Sequence, residues 1–192
     1  MLDKKIDNLL KIWQKKNILG IYCGNKSEAV EKIMAIIPQG ATVGISGSVT
    51  LEQLAIVKSL EAGGNKVFNQ YKAGITREES LELRKQGILA DYYLTSANGI
   101  SITGELVFLS AYGSRTAGIS NAKNVIVVAG INKLTGSLEE AIKRAKEYAM
   151  PLNYKRLNWD ASKIMCCQVL IVEAEATAER LKVIMVGEDL GY

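Results

Sequence analysis

The segment Val125-Ile-Val-Val-Ala129 constrains this chain more than any other. It is an almost unbroken run of β-branched residues held between Lys123-Asn124 and Gly130. A strand with one wet face alternates apolar and polar residues, whereas a continuous apolar run must be covered on both sides. Shorter apolar runs repeat the theme at Ile18–Tyr22, Ala41–Ile45, Lys66–Asn69 and Tyr92–Thr95. Between them lie stretches with helical signals. Ser27 opens one, with Ala29, Val30, Ile33, Met34 and Ile37 inward and a stop before Pro38; Leu51–Leu60, Thr76–Gln86 and Leu138–Tyr148 are the others. This alternation predicts an α/β fold, a mostly parallel sheet covered by helices on both faces. Ile100–Ile102 and Leu106–Leu109 flank Thr103-Gly104 as a tight hairpin. Cys167–Glu173 and Lys182–Val186 read as two further strands, so the sheet is expected to be mixed. Residues 152–165 read as irregular. With 192 residues, no linker-like stretch and no repeat, a single domain over 1–192 is expected.

Residues 2–16 place Leu2, Ile6, Leu9, Leu10 and Trp13 on one helical face with lysines opposite. That amphipathic helix is expected to pack on the domain or on a partner subunit, a homodimer included.

Several function classes are removed by what the chain lacks. It contains no histidine, which excludes Ser-His-Asp and Cys-His nucleophiles and His-ligated zinc. Its three cysteines make no disulfide framework, and an iron-sulfur cluster needs about four thiolates. Cys166 and Cys167 are adjacent in a strand-like run, so they should point to opposite faces as core filling. No metal site or resident cofactor is therefore expected in this chain. The net charge of +4 is modest and aromatics are only 6% and scattered, unlike the dense basic stripe of a nucleic-acid binder. No run approaches the ~20 apolar residues of a membrane span, and the N-terminus lacks the apolar core of a signal peptide. A cytoplasmic location is the expectation.

Three clusters carry the chemistry. The first is Thr42-Val-Gly-Ile-Ser-Gly-Ser-Val-Thr50, a buried strand running into a Gly/Ser-rich turn and a helix start. Inward-pointing amides at such a turn favour an oxyanion, with Ser46, Ser48 and Thr50 as hydroxyl donors and Gly44 and Gly47 giving close approach. The same Ser/Thr residues also suit plain helix capping. It is neither a P-loop nor a dinucleotide fingerprint. The second cluster joins Thr95-Ser-Ala-Asn-Gly99, Thr103-Gly-Glu105 and Gly113-Ser-Arg-Thr116. Here Asn98 sits at a strand end, Arg115 suits bidentate recognition of carboxylate or phosphate, and Glu105 is the candidate general base. The third is Gly130-Ile-Asn-Lys133, where Asn132 orients and Lys133 neutralises an anion at the end of the most buried strand. Parallel strand ends open onto one crevice, so the three clusters are expected to meet.

In this order the clusters resemble the LUD family, in particular its LutC-like lactate-utilisation proteins. The matching stretches are Val43-Gly-Ile-Ser-Gly-Ser-Val-Thr-Leu51, Ala90-Asp-Tyr-Tyr-Leu-Thr-Ser-Ala-Asn98, Thr103-Gly-Glu-Leu106, Val125-Ile-Val-Val-Ala-Gly-Ile-Asn-Lys133, Ala149-Met-Pro-Leu-Asn153 and Val186-Gly-Glu-Asp-Leu-Gly-Tyr192. The resemblance implies a fold like that of the NagB/RpiA/CoA-transferase group, in which the loop after an early strand binds phosphate or carboxylate. It also implies bacterial, cytosolic oxidation of L-lactate to pyruvate by a complex whose partner subunits hold iron-sulfur clusters. This chain would then be an accessory, ligand-binding subunit. It departs from the family at Ser114-Arg-Thr116, where Asn-Arg-Val is usual, and it lacks the cysteine-rich segment some members carry after the Pro-Leu-Asn region. Related sugar-phosphate isomerases use an acid near the position of Asn98, and an amide does not exchange a proton at neutral pH.

Three functions follow as expectations. The chain is an accessory component of hydroxy-acid oxidation binding a small carboxylate or phosphorylated ligand. Alternatively it is a self-sufficient enzyme on a sugar phosphate or acyl-CoA, with Glu105 as base, or a ligand sensor without chemistry.

Overall fold

The structure is a computed structural model that describes residues 2–160, 162–163 and 168–192. The paired cysteines Cys166 and Cys167, and with them the start of the strand expected from Cys167, lie outside the described residues.

Six strands form an all-parallel sheet: β1 (Leu19–Cys23), β2 (Thr42–Ile45), β3 (Lys66–Phe68), β4 (Tyr92–Thr95), β7 (Asn124–Gly130) and β10 (Leu181–Val186). Their order is β1-β10-β7-β4-β2-β3. The strand that dominates the sequence lies at the centre of this order, flanked by β10 and β4. Its residues divide as a two-sided strand requires. Val125, Val127 and Ala129 enter one core and Ile126 and Val128 the other.

The second of these cores is closed by α2 (Lys26–Ile36), α3 (Val49–Gln53) and α4 (Ile56–Ala62). The expected helix 51–60 is thus two helices. Ala55 adopts a left-handed conformation between them (φ 50°, ψ 26°). The break lets Leu51 and Leu54 on one side, and Ile56 and Leu60 on the other, reach the same core. Across the sheet, α5 (Arg77–Ile88) starts at a capping box made by Thr76 and Glu79. It crosses β2 closely: a Cβ on Gly44 would sit 2.0 Å from the Gly87 carbonyl oxygen.

The opposite core is covered by α1 (Leu2–Lys15), by α6 (Ser114–Asn121) and by a second sheet. Ile6, Leu9 and Trp13 of α1 are buried there; the Leu2 side chain, expected on that face, lies outside the described ones. The apolar face of α1 is therefore spent on its own chain.

The antiparallel pieces do not extend the main sheet, as the sequence suggested, but form one of their own. Strands β5 (Gly99–Ser101), β6 (Leu106–Ser110), β8 (Leu134–Thr135) and β9 (Gln168–Val172) pair in the order β8-β5-β6-β9, with β6 antiparallel to both β5 and β9. One face of this sheet joins the α1 core through Ile100, Leu106 and Phe108. Its other face, Val107 and Leu109, packs on a long helical segment that begins as α7 (Leu138–Lys143). That segment does not stop before Met150-Pro151. It passes through a π-helical stretch, Arg144–Ala149, into α8 (Met150–Arg156). Proline lacks an amide and crowds the preceding turn; a widened π turn ahead of Pro151 relieves that conflict. Among the described residues no helix is long and apolar enough to cross a membrane.

Candidate functional site

Because β2, β4, β7 and β10 are parallel neighbours, their C-terminal ends share one edge of the sheet. The turn after β2 supplies Ser46 to Thr50. The loop after β4 supplies Ser96 and Asn98, a 3-10 turn (Ile131–Lys133) after β7 supplies Lys133, and the segment after β10 ends at Tyr192. These residues line a cleft of about 1060 Å³, open mouth included.

Lys133 is the floor of the cleft. It is 2% exposed, and its Nζ donates to Thr50 Oγ1 (2.9 Å) and Ser96 Oγ (2.8 Å). Among the described residues it meets no carboxylate, and none lines the cleft. Burial, followed by the charges of Arg144 and Arg115, holds its ammonium well below the ordinary lysine range. Ser96 also donates to Thr50 or to the Ala97 carbonyl, and Thr50 donates to the Leu190 carbonyl. The floor is a hydroxyl-lined pocket around one amine.

Next to it lies the β2–α3 turn. Ser48 caps α3 by accepting from the Leu51 amide (3.3 Å), so the capping role is present. The amides of Gly47, Ser48, Val49 and Thr50 take no acceptor from the described residues. Ser46 Oγ is tied to Thr95 Oγ1 (2.7 Å), bracing β2 on β4.

Arg115, in the first turn of α6, lines the cleft, but its fork is engaged by neighbours and is not left open for the bidentate contact the sequence suggested. Its guanidinium ties two loops to strand β6. It donates to Asn98 Oδ1 (3.1 Å), the Leu109 carbonyl (2.8 Å) and the Gly47 carbonyl (2.6 Å). Its Nε is buried without a partner among the described residues. Among the described residues no carboxylate neutralises it, so the turn is left electropositive. Asn98 is the brace: its Oδ1 accepts from Arg115 and from the Leu109 amide (2.9 Å), leaving its Nδ2 free of described acceptors.

Three sequence candidates fall elsewhere. Gly44 is a packing position against Gly87 and does not line the cleft. Asn132 turns away to hold the chain end, donating to the Gly191 carbonyl (3.1 Å) and accepting from the Leu190 amide (3.1 Å). Glu105, the candidate base, is outside the cleft altogether. Its carboxylate takes hydrogen bonds from Lys16, in the turn just after α1 (2.9 Å), and from Thr103 (2.5 Å). Partial burial raises its pKa, but Thr103, Lys16, its own amide and Ser101 together outweigh that and leave it at about 2. A carboxylate so acidic and so placed is a strut between the turn after α1 and the hairpin.

Sequence reasoning missed the walls. Arg84 of α5 reaches the cleft, fixed by Gln70 (2.8 Å) and lying over the Tyr112 ring at 5.2 Å. Its place within a polar helix gave no signal. Arg156 and Tyr192 meet at the opposite rim, where the Tyr192 hydroxyl accepts from Arg156 Nε (2.9 Å). Arg144 lies behind the floor, donating to the Asn98 and Asn132 carbonyls (2.5 and 3.1 Å).

The LUD domain family matches residues 6–186. The chain belongs to the LUD-domain family. Membership supports a general role connected with lactate utilisation. In fold, the chain is similar to a crystal structure of a DUF162 family protein from Deinococcus radiodurans, with a TM-score of 0.54 at 12% identity, covering 96% of this chain and 95% of that one. It also aligns with ribose 5-phosphate isomerase A from Methanocaldococcus jannaschii at a TM-score of 0.40 and 16% identity, covering 69% and 65% of the two chains. No curated protein matches it in sequence.

Proposed function

We propose that this LUD-domain chain is an anion-binding accessory subunit of L-lactate oxidation to pyruvate, its cleft taking a phosphorylated or carboxylate ligand. The observation that carries the reading is Lys133: a buried amine without a carboxylate partner, on the floor of a cleft lined by Arg84, Arg115 and Arg156 and by no described acid. Burying a lysine without an anion is unfavourable, and an incoming oxyanion removes the deficit by supplying the missing charge. The free amides of the β2–α3 turn add donors to the same space. With Glu105 committed to Lys16, the cleft has no described carboxylate to act as a base, which favours binding over self-sufficient turnover. The redox chemistry then resides in partner subunits with iron-sulfur clusters, and the exposed lysines of α1 are the candidate docking surface.

Calorimetric titration with inorganic phosphate, pyruvate and L-lactate tests the site. One anion should bind at one equivalent, and Lys133→Met should weaken it at least tenfold, or about 1.4 kcal/mol. Equal affinity in the variant would remove the site. Co-purification of the tagged chain with iron-sulfur proteins, and no lactate turnover without them, checks the accessory role.

A further inference from the structure

The cleft has a polarity gradient that a bare small anion does not use. Its floor is buried and cationic: Lys133, Thr50 and Ser96 are all under 5% exposed. Its mouth is aromatic. Tyr71, Tyr112, Trp159 and Tyr192 all line it, a concentration at one place in a chain that is only 6% aromatic. Two of these rings are far more exposed than a packing role explains, Tyr71 at 54% and Tyr112 at 68%.

The rings are also organised. Arg84 lies over Tyr112 at 5.2 Å, and Gln70 pins Arg84 through its Nε while reaching the Ile45 carbonyl at the end of β2 (3.4 Å). The Tyr71 hydroxyl stands so close above Gly47 that a Cβ there would lie 2.5 Å from it. That ring therefore runs from the mouth down to the turn whose amides are free. A guanidinium-backed ring beside an open cleft is a stacking platform, because cation–π contact with Arg84 fixes the ring while its other face stays available.

From this juxtaposition of aromatic mouth and cationic floor in one cleft, we infer that the ligand is bipartite, a phosphate joined through a sugar-like spacer to a flat aromatic ring. This is the chemistry of a nucleotide or of a flavin mononucleotide. The inference rests on the anion-binding reading of the floor and specifies what else the same ligand carries. The phosphate occupies the space bounded by Lys133, Thr50 and the β2–α3 turn. The ring stacks at the mouth on Tyr112, with Tyr71 beside the spacer.

Titrations of the full chain with pyrophosphate, ribose 5-phosphate, ADP and flavin mononucleotide, read by calorimetry and by tryptophan fluorescence, test it. ADP or the flavin should bind at least tenfold more tightly than ribose 5-phosphate, and which one does so names the ring. Tyr112→Ala, at an exposed position that leaves the fold intact, should abolish that tenfold advantage and leave pyrophosphate binding unchanged. Equal affinity for ring-bearing and ringless phosphates, no effect of Tyr112→Ala, or an equal loss for pyrophosphate would each overturn the bipartite ligand while leaving the anion site standing. Failure of every phosphate to bind would overturn the bipartite ligand, and failure of pyruvate and L-lactate as well would remove the anion site itself.

Discussion

Lys133→Met should make the ligand-free protein more stable, and it is the sharpest consequence of this site. The lysine is 2% exposed and its ammonium is met by two hydroxyls and no described carboxylate. Replacing a buried, poorly compensated charge by an apolar side chain of similar volume is neutral to stabilising, by roughly 1–4 kcal/mol. The two hydroxyls are not orphaned by the change. Thr50 still donates to Leu190 and Ser96 still donates to Thr50 or Ala97. Losing their bonds to the amine offsets part of the gain, at about 0.5–1.5 kcal/mol each. At the midpoints of these ranges a net gain of about 0.5 kcal/mol remains, or a rise of about 1–2 °C in Tm for a chain of this size. The pH dependence has a definite sign. The lysine's folded pKa lies below its unfolded value of 10.5, so the unfolded chain binds the extra proton between the two. The penalty is full below the folded pKa and fades as pH rises to 10.5, so the gap between variant and wild type should close there. Thermal scans from pH 6 to 10.5, with and without the calorimetrically identified anion, provide the assay. At 100 times its Kd the anion should raise wild-type stability by about 2.7 kcal/mol, and should move the variant far less. A variant that melts several degrees lower than wild type at pH 7 would refute the argument, because Lys133 would then be a structural keystone.

Glu105→Gln should destabilise the fold by about 1 kcal/mol at pH 7 and leave anion affinity unchanged. Because its folded pKa is about 2 against an ordinary 4.5, the lost stabilisation is present above 4.5 and disappears as pH falls through 2, so urea midpoints of variant and wild type should converge in acid. Gly44→Ala should cost more than about 3 kcal/mol or prevent folding, since its Cβ would meet the Gly87 carbonyl oxygen at 2.0 Å; circular dichroism of the purified variant decides. Ala55→Gly should raise Tm slightly: removing a left-handed alanine gains about 1–2 kcal/mol, offset by about 0.4–1 kcal/mol of added chain entropy.

The fold was legible wherever burial leaves a periodic trace. The run at 125–129 announced a strand covered on both faces, and the two cores divide its residues accordingly. Sheet membership left no such trace. Strands β5, β6 and β9 look in sequence like extra members of one sheet, and only their long-range partners, such as Leu134 for Ile100, set them apart. The break at Ala55 and the helix running through Pro151 were equally silent. Each depends on a conformation that tertiary packing imposes against local preference, a left-handed alanine in one case and a π turn in the other.

For the site, the sequence disclosed strand ends but not side-chain commitments. Ser48, Thr50, Asn98, Arg115 and Lys133 do line one cleft, since topology alone brings the ends of β2, β4 and β7 together. Whether a residue there faces a ligand or a neighbour is decided by acceptors far away in the chain. Gly47 and Leu109 carbonyls engage the Arg115 fork; the segment after β10 claims Asn132; Lys16, in the turn after α1 some ninety residues earlier, claims Glu105. Lys133 shows the converse. A lysine after a strand is ordinarily a solvated surface residue, and nothing local distinguishes this one. Its burial follows from the β10 tail closing over it: Leu190 and Gly191 lie against Thr50, and a Cβ on Gly191 would stand 3.5 Å from its Nζ. The amine is dry because an element nearly sixty residues away removes its water, and hydration is the alternative partner that an anion would have to replace.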